Sequence, residues 1–221
     1  IFFKKHLENQ KRYLEKINIS SKNDKEKDYY YILDEIGLLS EVQMNSYEFH
    51  IWGSNASNKN KPNMMVFDLD PDKTLSLDKL RLGVKYLKEI LDNLNLKSFL
   101  KTSGGKGYHI CIPVKNNLTW KKFYKISEDI ANIIENTHSE LFTTNNRKEK
   151  RKNKIFIDYL RNQKSATFVA PYSVRLRKNA PVSMPIAWNE LDKIKPNEIT
   201  IYKAIKRLKK KDPWKDFFTS N

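Results

Sequence analysis

This chain has little cysteine, little glycine and too little negative charge. Its one cysteine, Cys111, cannot form an internal disulfide. A lone thiol fits a reducing, cytoplasmic setting and argues against the disulfide-stapled secreted class. No apolar run approaches the ~20 residues of a membrane span, so no membrane partner is expected. There are 6 glycines in 221 residues, and three of them fall within Ser103-Gly104-Gly105-Lys106-Gly107. Asp and Glu number 26 against 42 Lys and Arg, a net charge of +16 with pI ≈ 9.7. That balance favours a polyanionic partner, most often nucleic acid.

What is present suffices for a core. Hydrophobic residues make up 39% of the chain, with 11 Phe, 11 Tyr and 4 Trp. The length suits one large domain or two small ones. No signal peptide is visible. The chain opens on Ile1 rather than Met, so a truncated N-terminus is expected.

Strand and helix patterns alternate. Residues 29–39 have a helical pattern, with Ile32, Ile36 and Leu39 on one face. Residues 64–69 read as a strand stopped by Pro71. Ser76 is a candidate N-cap for a helix striped by Leu77, Leu80, Val84, Leu87, Leu91 and Leu94. Residues 99–101 and 108–114 read as strands around the glycine turn. Residues 120–135 form a second amphipathic helix, with Phe123, Ile126, Ile130 and Ile133 or Ile134 inward. Residues 145–154 are a strongly basic loop. Strands follow at 155–160 and 166–170, then a C-terminal helix marked by Ile199, Tyr202, Ile205 and Leu208. The mixture predicts an α/β (α+β) class.

Three places carry chemistry. In Val66-Phe67-Asp68-Leu69-Asp70-Pro71 the two acids are two apart, so both leave one strand face, roughly 6.6 Å apart at Cα. Carboxylates brought to 5 Å repel by about 3 kcal/mol at an effective dielectric near 20. A divalent ion turns that cost into binding, and Mg²⁺ prefers one or two carboxylates plus phosphate oxygens. Solvated acids at a strand end are the plainer alternative. The second place is the glycine turn, whose N–H groups, Ser103 hydroxyl and Lys106 ammonium suit a phosphate. Its spacing is not that of a P-loop, and a plain hairpin turn is the alternative. Cys111, in an apolar strand, reads as a core residue.

The third acid, Asp158, sits in the apolar stretch Ile155-Phe156-Ile157-Asp158. A buried lone carboxylate is costly, so it wants a metal or the nearby Arg161. Arg175 and Arg177, two apart, are expected on one strand face, where bidentate contacts suit phosphate. Together these are the parts of a two-metal nucleotidyl transfer site.

The order of motifs resembles one family. The residues that carry it are His50-Ile51-Trp52-Gly53-Ser54, Phe67-Asp68-Leu69-Asp70-Pro71 and Lys101-Thr102-Ser103-Gly104-Gly105-Lys106-Gly107-Tyr108-His109. Ile155-Phe156-Ile157-Asp158-Tyr159-Leu160-Arg161-Asn162, Ala166-Thr167 and Ala170-Pro171-Tyr172-Ser173-Val174-Arg175-Leu176-Arg177 continue it. The chain resembles the polymerase domain of bacterial ligase D, of the archaeo-eukaryotic primase superfamily, which works in non-homologous end joining. Ile51 and Tyr108 depart from the usual Pro and Leu.

The resemblance implies a primase-type core, a mixed RRM-like sheet flanked by helices around a central cleft, as a single catalytic domain over 1–221. Asp68, Asp70 and Asp158 would be the catalytic metal triad for two Mg²⁺ or Mn²⁺ ions. His50, Ser103, Lys106, His109 and Arg175 would hold the nucleotide. Arg161 and Arg177 would support the site or touch DNA. Phe2, Phe3, Lys5 and the loop 147–154 are expected on the DNA. The substrates implied are NTP or dNTP and DNA ends with a 5′-phosphate or gapped DNA. Ku and an ATP-dependent DNA ligase are the implied partners, in a nucleoid-associated setting. Part of the family's 5′-phosphate pocket lies before Phe2 and is not in this chain. Two rivals are a de novo primase of a mobile element and a non-catalytic nucleic-acid-binding module of the same fold.

Overall fold

The computed structural model describes residues 13–20, 26–115 and 117–220. In chain order it runs β1 (Glu15–Ser20), β2 (Glu26–Tyr31), α1 (Glu35–Gln43), β3 (His50–Ile51) and β4 (Met64–Pro71). Next come α2 (Leu77–Asn93), β5 (Phe99–Thr102), β6 (Tyr108–Pro113) and α3 (Trp120–Thr137). The chain closes with β7 (Phe142–Thr143), β8 (Ile155–Asp158), β9 (Phe168–Val169), β10 (Pro185–Ile186) and α4 (Ile201–Arg207).

Six strands form the central mixed sheet in the order β10-β5-β6-β4-β8-β7. Its neighbours are antiparallel except β7 and β8. The period-2 alternation of β4 decides the layers. Met65, Phe67 and Leu69 join Leu100, Ile110, Ile112, Ile155 and Ile157 in the main core. The buried stripes of α2 (Leu80, Val84, Leu87, Leu91) and α3 (Phe123, Ile130, Ala131, Ile134) cover that face. Each fully buried Leu, Val or Phe contributes roughly 1.5–3 kcal/mol. Both helices start at side-chain caps, Ser76 accepting from Lys79 N and Thr119 from Lys122 N.

The other face of the sheet is divided. At one end Met64, Val66, Phe99 and Cys111 pack with Phe168, Trp214 and Phe217. Cys111 is thus a core residue, as read from its strand, and burial pushes its thiol up to about 12. At the other end the same alternation delivers Asp68, Asp70 and Asp158.

Some local expectations fail for tertiary reasons. Residues 29–31 are strand, not helix, because β2 pairs in antiparallel fashion with β1. The helix begins only at Glu35, where Asp34 caps it by accepting from Gly37 N. Its Ile36 and Leu39 are exposed. In α3 the buried stripe runs through Ser127 and Ala131, and Ile126 and Ile133 face outward. In α4 only Ala204 is buried, while Tyr202 (80% exposed), Ile205 and Leu208 point to solvent. Residues 171–180 are turns rather than the strand expected for Arg175 and Arg177.

Candidate active site

The site is built on one rung of the sheet. Lys101 of β5 pairs with His109 of β6, His109 with Asp68 of β4, and Asp68 with Asp158 of β8. Directly opposed residues lie about 4.5–5.5 Å apart at Cα. Four ionisable side chains therefore emerge in a row on one face, with Asp70 one pleat beyond Asp68.

Each acid meets a different donor side chain. Nε2 of His109 lies 3.3 Å from Oδ2 of Asp68. A carboxylate only accepts, so Nε2 carries the proton. Nη1 of Arg151 lies 3.7 Å from Oδ2 of Asp70, and its guanidinium sits 3.6 Å above the Phe156 ring. Nε of Arg161 donates to Oδ2 of Asp158 at 3.0 Å, and Leu160 N donates to Oδ1 at 3.0 Å. Burial raises the carboxyls of Asp70 and Asp158, the first with help from the Asp68 charge, the second despite Arg161. At Asp68 burial is outweighed by His109, Arg161 and Lys101, and the carboxyl falls below its usual range. Burial also pushes His109 toward its neutral form.

The glycine loop closes on itself. Ser103 N donates to Gly107 O at 3.1 Å, and Ser103 Oγ accepts from Gly105 N at 3.1 Å and Gly107 N at 3.3 Å. Gly104 N donates to Pro196 O at 3.0 Å. Four of the amides expected to form an open anion nest are thus bonded within the protein. The loop's outward group is the exposed Lys106 side chain. Two glycines are required by geometry. Gly104 has φ +66, and a Cβ on Gly107 would lie 1.8 Å from Leu69 O.

Beside the loop, Arg175 Nη1 donates to Ser103 O at 2.7 Å, and its Nε lies 3.0 Å from Glu48 Oε1. Glu48 Oε1 is also 2.8 Å from His50 Nε2, and Oε2 accepts from Leu176 N at 3.0 Å. Burial raises the Glu48 carboxyl, but His50, Leu176 N and Arg175 outweigh it, and the net shift is downward. Glu48 therefore gathers two of the residues expected at the nucleotide. Its only trace in the sequence was the spacing Glu48-Phe49-His50. Arg177 reaches the same loop, its guanidinium beside Gly105.

The structure thus brings Asp68, Asp70, Asp158, His109 and Arg161 together on the sheet, and Ser103, Lys106, Arg175, Arg177 and His50 around the loop beside it. Phe2, Phe3 and Lys5 lie outside the described residues. The basic loop is partly folded: Arg147, Lys148 and Lys150 are exposed, but Arg151 donates to the carbonyls of Asn145 and Asn146 and is turned onto Asp70.

Among the described residues no three His, Cys, Asp or Glu side chains already form a metal-sized cage. The donors nevertheless fit a hard divalent cation. They are carboxylate oxygens, two of them on directly opposed residues, and each carboxylate contacts one donor side chain, His109, Arg151 or Arg161, that an ion could replace. No described helix is long and apolar enough to cross a membrane.

Comparison with known proteins identifies the family. The multifunctional non-homologous end joining protein LigD of Pseudomonas aeruginosa is 36% identical over 184 residues, 81% of this chain and 22% of that protein. The bifunctional LigD of Bacillus subtilis is 32% identical over 77% of this chain and 28% of its own length. The chain thus spans about a quarter of the length of these relatives. The polymerase domain of Mycobacterium tuberculosis ligase D, solved in complex with DNA, superposes with a TM-score of 0.88 at 25% identity. That match covers 99% of this chain and 79% of the other. The family model for the LigD primase-polymerase domain matches residues 1–214. The chain belongs to the LigD primase-polymerase domain family.

Proposed function

We propose that this chain is a single catalytic domain that adds nucleotides, under template direction, to DNA ends or gaps during double-strand break repair. The observation that carries this is the shared sheet face: Asp68, Asp70 and Asp158 stand together next to a loop flanked by Arg175, Arg177 and Lys106. The mycobacterial polymerase domain was solved in complex with DNA, which supports a DNA substrate here. The net charge of +16 fits the same partner.

The reaction is an in-line displacement. The primer 3′-hydroxyl oxygen attacks the α-phosphorus of an NTP or dNTP and gives up its proton to solvent, a P–O bond forms, the bond from the α-phosphorus to the bridging oxygen breaks, and pyrophosphate leaves with its electrons. Asp68, Asp70 and Asp158 would hold two Mg²⁺ or Mn²⁺ ions, which would supply Lewis acidity to the reacting phosphoryl group. Lys106 and Arg175 take the negative charge of the β- and γ-phosphates, where charge-assisted contacts are strongest. Ser103 and Glu48 hold Arg175 and His50 in place for that contact. Arg161 and Arg177 flank the acids and the loop and steady the polyphosphate or the DNA strand. Partners of the pathway would be Ku and an ATP-dependent DNA ligase.

The test is primer extension on a gapped duplex with a 5′-phosphate, comparing ribo- and deoxynucleotides with Mg²⁺ and Mn²⁺. Templated addition that depends on the divalent ion is expected. Synthesis on an unprimed single strand would favour a de novo primase. DNA binding with no addition under any condition would favour a non-catalytic module.

A further inference from the structure

We propose that Lys101 is a positioning residue of the nucleotide site, a buried ammonium that ties the arm carrying Arg175 to the glycine loop and sets a fixed positive charge behind both. The inference rests on the nucleotidyltransferase reading above.

Lys101 is 0% exposed. Lysine is almost never so buried unless a carboxylate pairs with it. Here its Nζ donates to Ser183 Oγ at 2.5 Å, and that hydroxyl is its one hydrogen-bond acceptor among the described residues. An ammonium has three donors, so two stay without a protein acceptor. No described carboxylate lies within ion-pair distance of it. Burial lowers its pKa to about 8, despite Cys111 and the Asp68 charge, which both favour the cation.

Such a group costs the fold stability. Its neighbours could host an apolar side chain instead, since Phe99 and Cys111 continue the same face into an apolar cluster. Folding alone gives no reason for a charge at this position. Its place in the network does.

Lys101, Thr102 and Ser103 lead into the glycine loop, and the arm of residues 172–184 is stitched to all three. Lys101 holds Ser183 by its hydroxyl. Thr102 Oγ1 donates to Val182 O at 3.1 Å and accepts from Met184 N at 2.9 Å. Ser183 N donates to Ser173 O at 2.8 Å, which closes the arm on itself. At the arm's other end Arg175 N donates to Pro181 O, and Arg175 Nη1 to Ser103 O, both at 2.7 Å. Lys101 and Arg175 thus grip the same short strand-to-loop junction from two sides. Two cations set there, with a hydroxyl and a carbonyl as their anchors, suit the arrival of a polyanion.

The experiment compares wild type with K101M and S183A. K101M keeps the stem's shape and removes the charge. We expect it to melt at or above the wild-type temperature, because a poorly satisfied charge has gone. We expect its nucleotide KM to rise by about tenfold or more, with kcat changing less and the affinity for gapped DNA unchanged. S183A keeps the charge and releases the arm, and should raise KM in the same direction but less. R175A runs beside them as a reporter of the phosphate site, with direct titration of Mg²⁺–nucleoside triphosphate as a readout independent of turnover. If R175A raises KM and both other variants leave it unchanged, Lys101 is only a structural residue and the inference is overturned while the function stands. If wild type neither binds the nucleotide nor extends a primer, the functional reading falls and takes the inference with it. If K101M does not fold, its charge serves the fold after all, and S183A alone then decides the tie to the arm.

Discussion

Asp68 and Asp158 face each other directly across neighbouring antiparallel strands, yet their surroundings push them apart in acidity. Burial disfavours the charge on both. At Asp68 the His109 ring, Arg161 and Lys101 reverse it; at Asp158 the single close guanidinium of Arg161 does not. The pair therefore offers one carboxyl held below its usual range and one held above it.

Asp158→Asn keeps the shape and hydrogen-bonding capacity of the side chain but removes a carboxylate oxygen suited to a cation. We expect nucleotide addition to fall to background while DNA affinity stays close to wild type, since affinity comes from the basic surface. Primer extension and a binding titration on the same DNA check this. Normal extension would remove Asp158 from the acid triad.

Glu48→Gln tests the anchor that sequence reasoning missed. The carboxylate accepts from Leu176 N and holds His50 and Arg175 on one oxygen. The neutral amide weakens charge-assisted contacts typically worth about 1.5–3 kcal/mol in total. We expect nucleotide KM to rise roughly tenfold, with no change in DNA affinity. An unchanged KM would leave Glu48 as loop scaffolding only.

The exposed cations of the basic loop should contribute to DNA binding through phosphates. Replacing Arg147, Lys148 and Lys150 with Ala should flatten the dependence of log K on log salt by about 0.9 for each duplex phosphate that is no longer neutralised. Arg151 belongs in a separate variant, because it is already committed to Asp70 and the Phe156 ring. Arg151→Ala should change catalysis more than the salt slope. A triple variant with the wild-type slope would make the loop a solvated surface.

Lys101 also has a signature in stability. Its folded-state pKa is near 8, against 10.5 for the free side chain. Between those values the unfolded chain holds a proton that the folded chain has released. The contribution of Lys101 to stability should therefore rise with pH from about 8 to 10.5, its penalty being fully present below that window. The groups bearing on Lys101 are Cys111, Asp68 and Arg175. Asp68 is ionised throughout the window, whereas Cys111 acts in the opposite sense, its thiol moving from 9.0 in the free side chain up to about 12 in the fold, so the Lys101 contribution is read from the difference between wild type and K101M. Denaturant melts of wild type and K101M across this range should differ in slope; parallel profiles would contradict the buried-cation account.

Much of the fold was legible because it is written locally. The alternation in β4, the Ser76 cap and the leucine stripe of α2 are period-2 and period-3.6 patterns that short windows contain. That Asp68, Asp70 and Asp158 lie in strands was legible for the same reason. Tyr29 to Tyr31 misled because a helical spacing was overridden by pairing with β1. Tyr202 and Ile205 misled because apolar spacing gives a face but not what covers it. Glu48, Arg151 and Lys101 act through partners as far away in sequence as Arg175, Asp70 and Ser183. No window along the chain contains those pairs.

The alternation in β4 ties architecture and chemistry into one constraint. Shifting that strand by a single position against β6 and β8 would turn Phe67 and Leu69 into the charged end of the face and drive Asp68 and Asp70 under α2 and α3. A misregistered molecule would thus carry carboxylates in its core and Phe67 and Leu69 on the face of the acids. The proposed chemistry and the correct register of the sheet therefore depend on the same residues. A chain that has aligned its acids has, by that act, also closed its core.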